Sequence, residues 1–137
     1  MTDLVVDTSA VVAMLIDEKG ADELREHIAG AGSCLMSMAT LVELGIVVEA
    51  RLGPAGTSLV ERFVRDAAIE LVDVDRTQVD RAMEGCRSYG KGRHTAALNF
   101  GDCFTYALAA ATGHPILCVG EDFAAIDVEV VRPDGER

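Results

Sequence analysis

The chain predicts an α/β fold with a sheet covered on both faces, and three observations carry that reading. The short unbroken apolar runs Leu4-Val5-Val6 and Ile116-Leu117-Cys118-Val119 suit strands buried from both sides, as at the centre of a parallel sheet. Segments with helical apolar spacing alternate with such runs along the chain. Both runs also lead into acids: Asp7 follows the first, and Glu121 and Asp122 follow the second after Gly120. Open α/β sheets bind ligands outside the carboxyl ends of their strands, which makes these acids candidates for chemistry.

The elements follow in order. Thr8 or Ser9 is expected to cap a helix over 10–16. Residues 20–30 set Leu24 and Ile28 four apart among Glu23, Arg25, Glu26 and His27, a surface helix with a solvated histidine. Cys34-Leu35-Met36 is the core of a second strand. Ser37 then caps a helix from Met38 to about Leu52, stopped by Gly53-Pro54. Glu43 is embedded in its apolar stretch, between Leu41-Val42 and Leu44-Gly45-Ile46-Val47-Val48. A carboxylate buried there without a partner costs several kcal/mol or takes up a proton. It therefore calls for solvent, an arginine or a cation.

Residues 55–68 repeat the amphipathic pattern through Leu59, Val60, Phe63 and Val64, giving a helical hairpin with the preceding helix. Residues 69–74 alternate and are β-branched, a third strand. Asp75 caps a helix to about Tyr89, with Val79, Ala82, Met83 and Cys86 expected inward. Residues 87–94 read as a basic, glycine-containing loop, in which Arg87, Lys91, Arg93 and His94 are candidate phosphate contacts. Asn99 caps the next helix, expected to bury Phe100, Phe104, Ala107, Leu108 and Ala111. Asp102 falls in its first turn, where the helix dipole favours an anion. Gly113 ends that helix, residues 116–119 form a strand, and 127–131 form a last short one. Residues 1–132 read as one domain, and 133–137 as a frayed tail.

Composition narrows the function. The formal charge of −11 disfavours nonspecific adhesion to nucleic acid and suits a cation site or a basic partner. It leaves a nuclease open, because bound metal ions reverse the local field. No basic stretch precedes an apolar segment at the start, and no run is long enough to cross a bilayer, so a cytoplasmic protein is expected. Cys34, Cys86, Cys103 and Cys118 show no CxxC spacing and are expected to be reduced, buried thiols.

Asp7 and Asp122 after strands, Glu43 on an apolar helix and Asp102 opening another can meet at one sheet edge. Clustered carboxylates repel one another. Hard divalent ions such as Mg²⁺ or Mn²⁺ relieve that repulsion with oxygen ligands alone. A site of this kind polarises phosphoryl groups without a cysteine or histidine nucleophile.

The segments VVDTSA, TLVELGIV, LNFGDCFTYALA and GEDF, in this order and spacing, closely resemble the PIN-domain ribonucleases. Within them the chain resembles the VapC toxins of bacterial VapBC toxin–antitoxin pairs. The resemblance implies a three-layer α/β/α sandwich around a mostly parallel sheet. It implies a Mg²⁺-dependent endoribonuclease, with Mn²⁺ as a possible substitute, that leaves a 3′-hydroxyl and a 5′-phosphate. It carries catalytic and metal-binding roles onto Asp7, Glu43 and Asp102, with Asp122 as the best match for a fourth acid. Ser9 matches a hydroxyl beside the first acid, and Asn99 a polar positioning residue. A homodimer and a cognate VapB antitoxin are also implied, the antitoxin's basic tail laying an arginine among the carboxylates.

Two departures stand out. Where relatives often read Phe-x-x-Thr/Ser-Asp, this chain has Phe123-Ala124-Ala125-Ile126-Asp127, which lacks the hydroxyl. Glu121 beside Asp122 leaves open which acid completes the pocket, with Asp127 a distant third. Two other classes compete. One is a catalytically silent PIN fold whose acidic pocket only binds a basic protein partner. The other is a phosphoaspartyl enzyme, disfavoured because Ser9 stands where a second aspartate is usual and no lysine follows residues 116–119.

Overall fold

The structure is a computed structural model and describes residues 1–90 and 98–133. In β1 (Leu4–Val6), Leu4 and Val6 belong to the core on one side of the sheet and Val5 to the core on the other. All three are buried, which is why the run carries no polar residue. β2 (Cys34–Ser37), β3 (Ile69–Val72), β4 (Ile116–Leu117) and β5 (Val130–Val131) join it in the order β3-β2-β1-β4-β5. Every pairing is parallel.

Six helices complete the sandwich among the described residues. α1 (Thr8–Leu15), α2 (Ala21–Gly30), α3 (Met38–Leu52) and α4 (Gly56–Asp66) cover one face through side chains such as Val11, Leu24, Leu44 and Val60. α5 (Arg76–Tyr89) and α6 (Phe100–Thr112) cover the other through Ala82, Cys103, Tyr106 and Leu108. Each fully buried leucine contributes about 1.5–3 kcal/mol. The predicted three layers are present, and the sheet is wholly parallel.

Several local expectations are corrected. β4 stops at Leu117 because the Val119 N–H bonds to the Ser9 hydroxyl at 3.0 Å instead of continuing the ladder. β3 stops at Val72 because its partner Ser37 is already the N-cap of α3. β5 covers only the end of the predicted 127–131 strand; Asp127 accepts a hydrogen bond from the Tyr106 hydroxyl at 3.0 Å. The inward face of α5 is Gln78, Ala82 and Gly85, while Val79, Met83 and Cys86 are exposed. Gly85 decides this: a Cβ there would lie 2.6 Å from the Tyr106 ring, so only bare backbone admits that ring. Cys86 is thus a surface thiol, whereas Cys34, Cys103 and Cys118 are buried. In α6, Phe100 is 82% exposed and Ala111 is also exposed. This helix packs against the sheet, α5 and α3 together, so its buried surface widens to Asp102, Cys103 and Thr105–Ala109.

The strand order reverses between β1 and β4, with β2 and β3 to one side of β1 and β4 and β5 to the other. The crevice outside the carboxyl ends of such a pair is where parallel α/β sheets bind ligands. Asp7 stands at that point, its N–H bonded to the Leu117 carbonyl at 3.0 Å.

Candidate active site

Asp7 is where β1 becomes α1. Its backbone is extended and its own carboxylate caps the helix, Oδ2 accepting from the Ser9 N–H at 3.0 Å. Thr8 and Ser9, expected as caps, lie inside the first turn and do other work. The Ser9 hydroxyl donates to Asp7 Oδ2 at 2.7 Å while accepting from Val119, tying the end of β1 to the chain leaving β4. The Thr8 hydroxyl donates to Glu43 Oε1 at 2.7 Å, which tethers the carboxylate of α3 to the start of α1.

The other Asp7 oxygen, Oδ1, accepts from the Thr105 hydroxyl of α6 at 2.8 Å. Thr105 lies 3.1 Å from the Thr40 hydroxyl of α3. Because the Thr105 proton goes to Asp7, Thr40 is the donor in that pair. Asp102 forms a reciprocal capping box with Asn99: its N–H donates to Asn99 Oδ1 at 2.8 Å, and its Oδ2 accepts from the Asn99 N–H at 3.1 Å. The helix-start role therefore holds for Asp102, and the same geometry fixes its carboxylate.

Asp7, Glu43, Asp102 and Asp122 line one cavity of about 290 Å³, together with Ser9 and Asn99. Asp7 and Asp102 are almost fully buried, Glu43 half-buried and Asp122 exposed. Glu121 does not line it; its exposed carboxylate pairs with Arg132 Nη2 at 3.3 Å. Asp127 is held by Tyr106 outside the cavity. Arg87 sits exposed in the last turn of α5 rather than in a loop. Lys91, Arg93 and His94 lie outside the described residues.

Burial and crowding set the electrostatics. Desolvation raises the Asp7 carboxyl above its usual range, against the opposing hydrogen bonds from Ser9 and Thr105. Glu43 is raised by desolvation, opposed by Thr8, and raised further by the charges of Asp7 and Asp122. Asp102 is pushed up to about 7, by desolvation first and then by Asp7, Asp122 and Glu43, against the Asn99 N–H. Among the described residues no three of these donors form a ready-made coordination shell. Asp7, Glu43 and Asp102 are each bonded to separate protein donors. An all-oxygen set of mutually repelling carboxylates nevertheless matches a hard divalent ion.

Sequence reasoning missed Thr40, Thr105, Arg51 and the cavity-lining role of Glu18. Each of the first three carried a spacing signal. Arg51 shares a helix face with Glu43 and Val47 at steps of four, and the two threonines lie three residues from Glu43 and Asp102. Thr105→Val keeps the shape but deprives both Asp7 and Thr40 of a partner. It is expected to cost about 1–3 kcal/mol, with Thr105→Ser recovering most of the loss, as read by urea unfolding.

A parallel α/β/α sandwich with acids gathered over its switch point places those side chains where open α/β sheets bind ligands. The PIN domain family profile matches residues 4–129. Ribonuclease VapC30 of Mycobacterium tuberculosis is 44% identical over 128 residues, spanning 93% of this chain and 98% of its own. Ribonuclease VapC of Mycolicibacterium smegmatis is 45% identical over 129 residues, spanning 94% and 100%. The chain belongs to the PIN-domain family, among its VapC ribonucleases. The fold is shared with VapBC2 from Rickettsia felis bound to a promoter DNA fragment, at a TM-score of 0.73, 15% identity and coverage of 96% and 98%. Mycobacterium tuberculosis VapC20, a sarcin-ricin-loop-cleaving toxin, superposes at 0.70 with 16% identity and coverage of 92% and 98%. Among the described residues no helix is long and apolar enough to cross a membrane.

Proposed function

We propose that this chain is a cytoplasmic, Mg²⁺-dependent endoribonuclease and the toxin of a type II toxin–antitoxin pair, its catalytic unit spanning residues 1–132. The observation that carries the reading is the meeting of Asp7, Glu43, Asp102 and Asp122, from four separate parts of the chain and with Glu18 on the same wall, in one cavity at the switch point of the sheet. Relatives more than 40% identical over nearly their full length bear the name ribonuclease VapC.

Asp7, Glu43 and Asp102 would hold the ion, with Asp122 assisting, and Mn²⁺ can replace Mg²⁺. Bound there, the ion supplies polarisation of the phosphoryl oxygen and a water acidified for attack. The protein's own residues do the rest. Ser9 and Thr105 lock both oxygens of Asp7. Asn99 fixes Asp102 through the capping box, and Thr8 restrains Glu43. Arg51 at the cavity wall offers a guanidinium to a backbone phosphate. Arg87, Lys91, Arg93 and His94 are assigned to phosphate contact from the basic character of their sequence alone. Hydrolysis breaks the bond from phosphorus to the 3′ oxygen, which takes up a proton and leaves a 5′-phosphate on the other fragment.

The chain forms a homodimer and is neutralised by a VapB-type antitoxin, whose basic tail places an arginine among the carboxylates that otherwise hold the ion. Structures of the same fold include a toxin–antitoxin complex from Klebsiella pneumoniae and DNA-bound VapBC from Salmonella typhimurium. The test incubates the purified chain with cellular RNA and maps 5′ ends. New 5′-phosphate ends are expected in Mg²⁺ and none in EDTA. Cleavage that persists undiminished in EDTA overturns the reading.

A further inference from the structure

Glu43 and Asp102 come from different helices, and the contact that lets them share a cavity is made by a residue with no side chain. A Cβ placed on Gly101 would fall on the Cδ and Oε2 atoms of Glu43 and lie 2.8 Å from Oε1. Gly101 occupies the first turn of α6 with φ outside the left-handed region, so its backbone conformation does not require glycine. Glycine also weakens a helix relative to alanine. What the position demands is space. On its other side the Glu43 carboxylate is held by the Thr8 hydroxyl at 2.7 Å. It is thereby clamped between α1 and the first turn of α6, where the helix dipole favours an anion.

We propose that Gly101 is a positioning residue, whose bare Cα admits the Glu43 carboxylate to the acidic cavity beside Asp102. The inference rests on the nuclease reading for its catalytic consequence but not for its geometry. The atoms that a methyl group would strike are the far end of a flexible side chain, not backbone. Gly101→Ala therefore evicts the carboxylate and spares the fold.

The experiment compares wild type, Gly101→Ala, Glu43→Asp and the double variant. Readouts are thermal unfolding, Mn²⁺ affinity by electron paramagnetic resonance without RNA, RNA cleavage, and a crystal structure of Gly101→Ala. The single alanine variant is expected to unfold at the wild-type temperature or above, with Mn²⁺ affinity and cleavage each reduced about tenfold or more. Its crystal structure is expected to show Glu43 swung away from Thr8. The shorter aspartate leaves room beneath the methyl, so Glu43→Asp should cost less in the alanine background than in wild type. Wild-type Mn²⁺ affinity in Gly101→Ala, a Glu43 that has not moved, or a large fall in its unfolding temperature each overturns the proposal. If wild type neither binds Mn²⁺ nor cleaves RNA, the nuclease reading fails, while the position of Glu43 in the variant still decides the role of Gly101.

Discussion

Asp102→Asn is expected to reduce RNA cleavage by about a thousandfold while the fold persists. Asparagine keeps a side-chain oxygen where Asp102 Oδ2 accepts the Asn99 N–H, so the start of α6 stays capped. What it removes is one negative charge from a cavity whose proposed ion is held by few ligands. Losing several kcal/mol of charge stabilisation at the phosphoryl group corresponds to that thousandfold, since each 1.36 kcal/mol is about tenfold in rate. Far-ultraviolet circular dichroism and a melting curve establish that the variant is folded. Single-turnover cleavage across a range of Mg²⁺ concentrations then separates lost ion affinity, which more Mg²⁺ restores, from lost chemistry, which it does not. A folded variant that cleaves at the wild-type rate removes Asp102 from the site. The same comparison excludes a silent fold, for which no variant of this residue alters any cleavage.

The parts of this architecture legible in the sequence are those decided by neighbours along the chain. Leu4-Val5-Val6 is read as a buried strand because it must be apolar on both faces, whatever packs there. Ser37, Asp75 and Asn99 are read as caps because each bonds an N–H only two or three residues ahead. The acids Asp7, Glu43, Asp102 and Asp122 stood out as residue types in unusual settings, and the structure brings them to one cavity. What stayed hidden depends on partners far away in sequence. The Thr105 hydroxyl meets Asp7 across 98 residues and Thr40 across 65, and an isolated threonine on a helix announces neither. Apolar periodicity turns the wrong faces of α5 and α6 inward because it assumes that the largest side chains are the buried ones. Here Gly85 seats the Tyr106 ring and leaves Val79 and Met83 in solvent. Gly101 reads as a helix flaw until the carboxylate lying against it is seen.

Removing divalent ions is expected to make the protein progressively less stable as pH rises from about 4 toward 7, and Asp102→Asn should cancel part of that loss. Asp102 is raised from 3.8 to about 7 in the folded protein, so the folded chain holds this proton more tightly than the unfolded chain. Its contribution to stability is therefore complete below about 3.8 and is lost as pH rises through about 7. Asp7 and Glu43 are shifted the same way, chiefly by desolvation, and add to the trend. Asparagine cannot titrate. In EDTA, the unfolding temperature of the variant relative to wild type should thus climb between pH 4 and pH 8. Mg²⁺ is expected to narrow the gap, because an ion at a hundred times its dissociation constant stabilises the folded state by about 2.7 kcal/mol. Wild type gains that increment and the variant gains less. Calorimetric scans in EDTA and in Mg²⁺ across this range measure both effects. If wild type instead gains on the variant as pH rises in EDTA, Asp102 is not raised, and the crowding of carboxylates invoked for ion binding is absent.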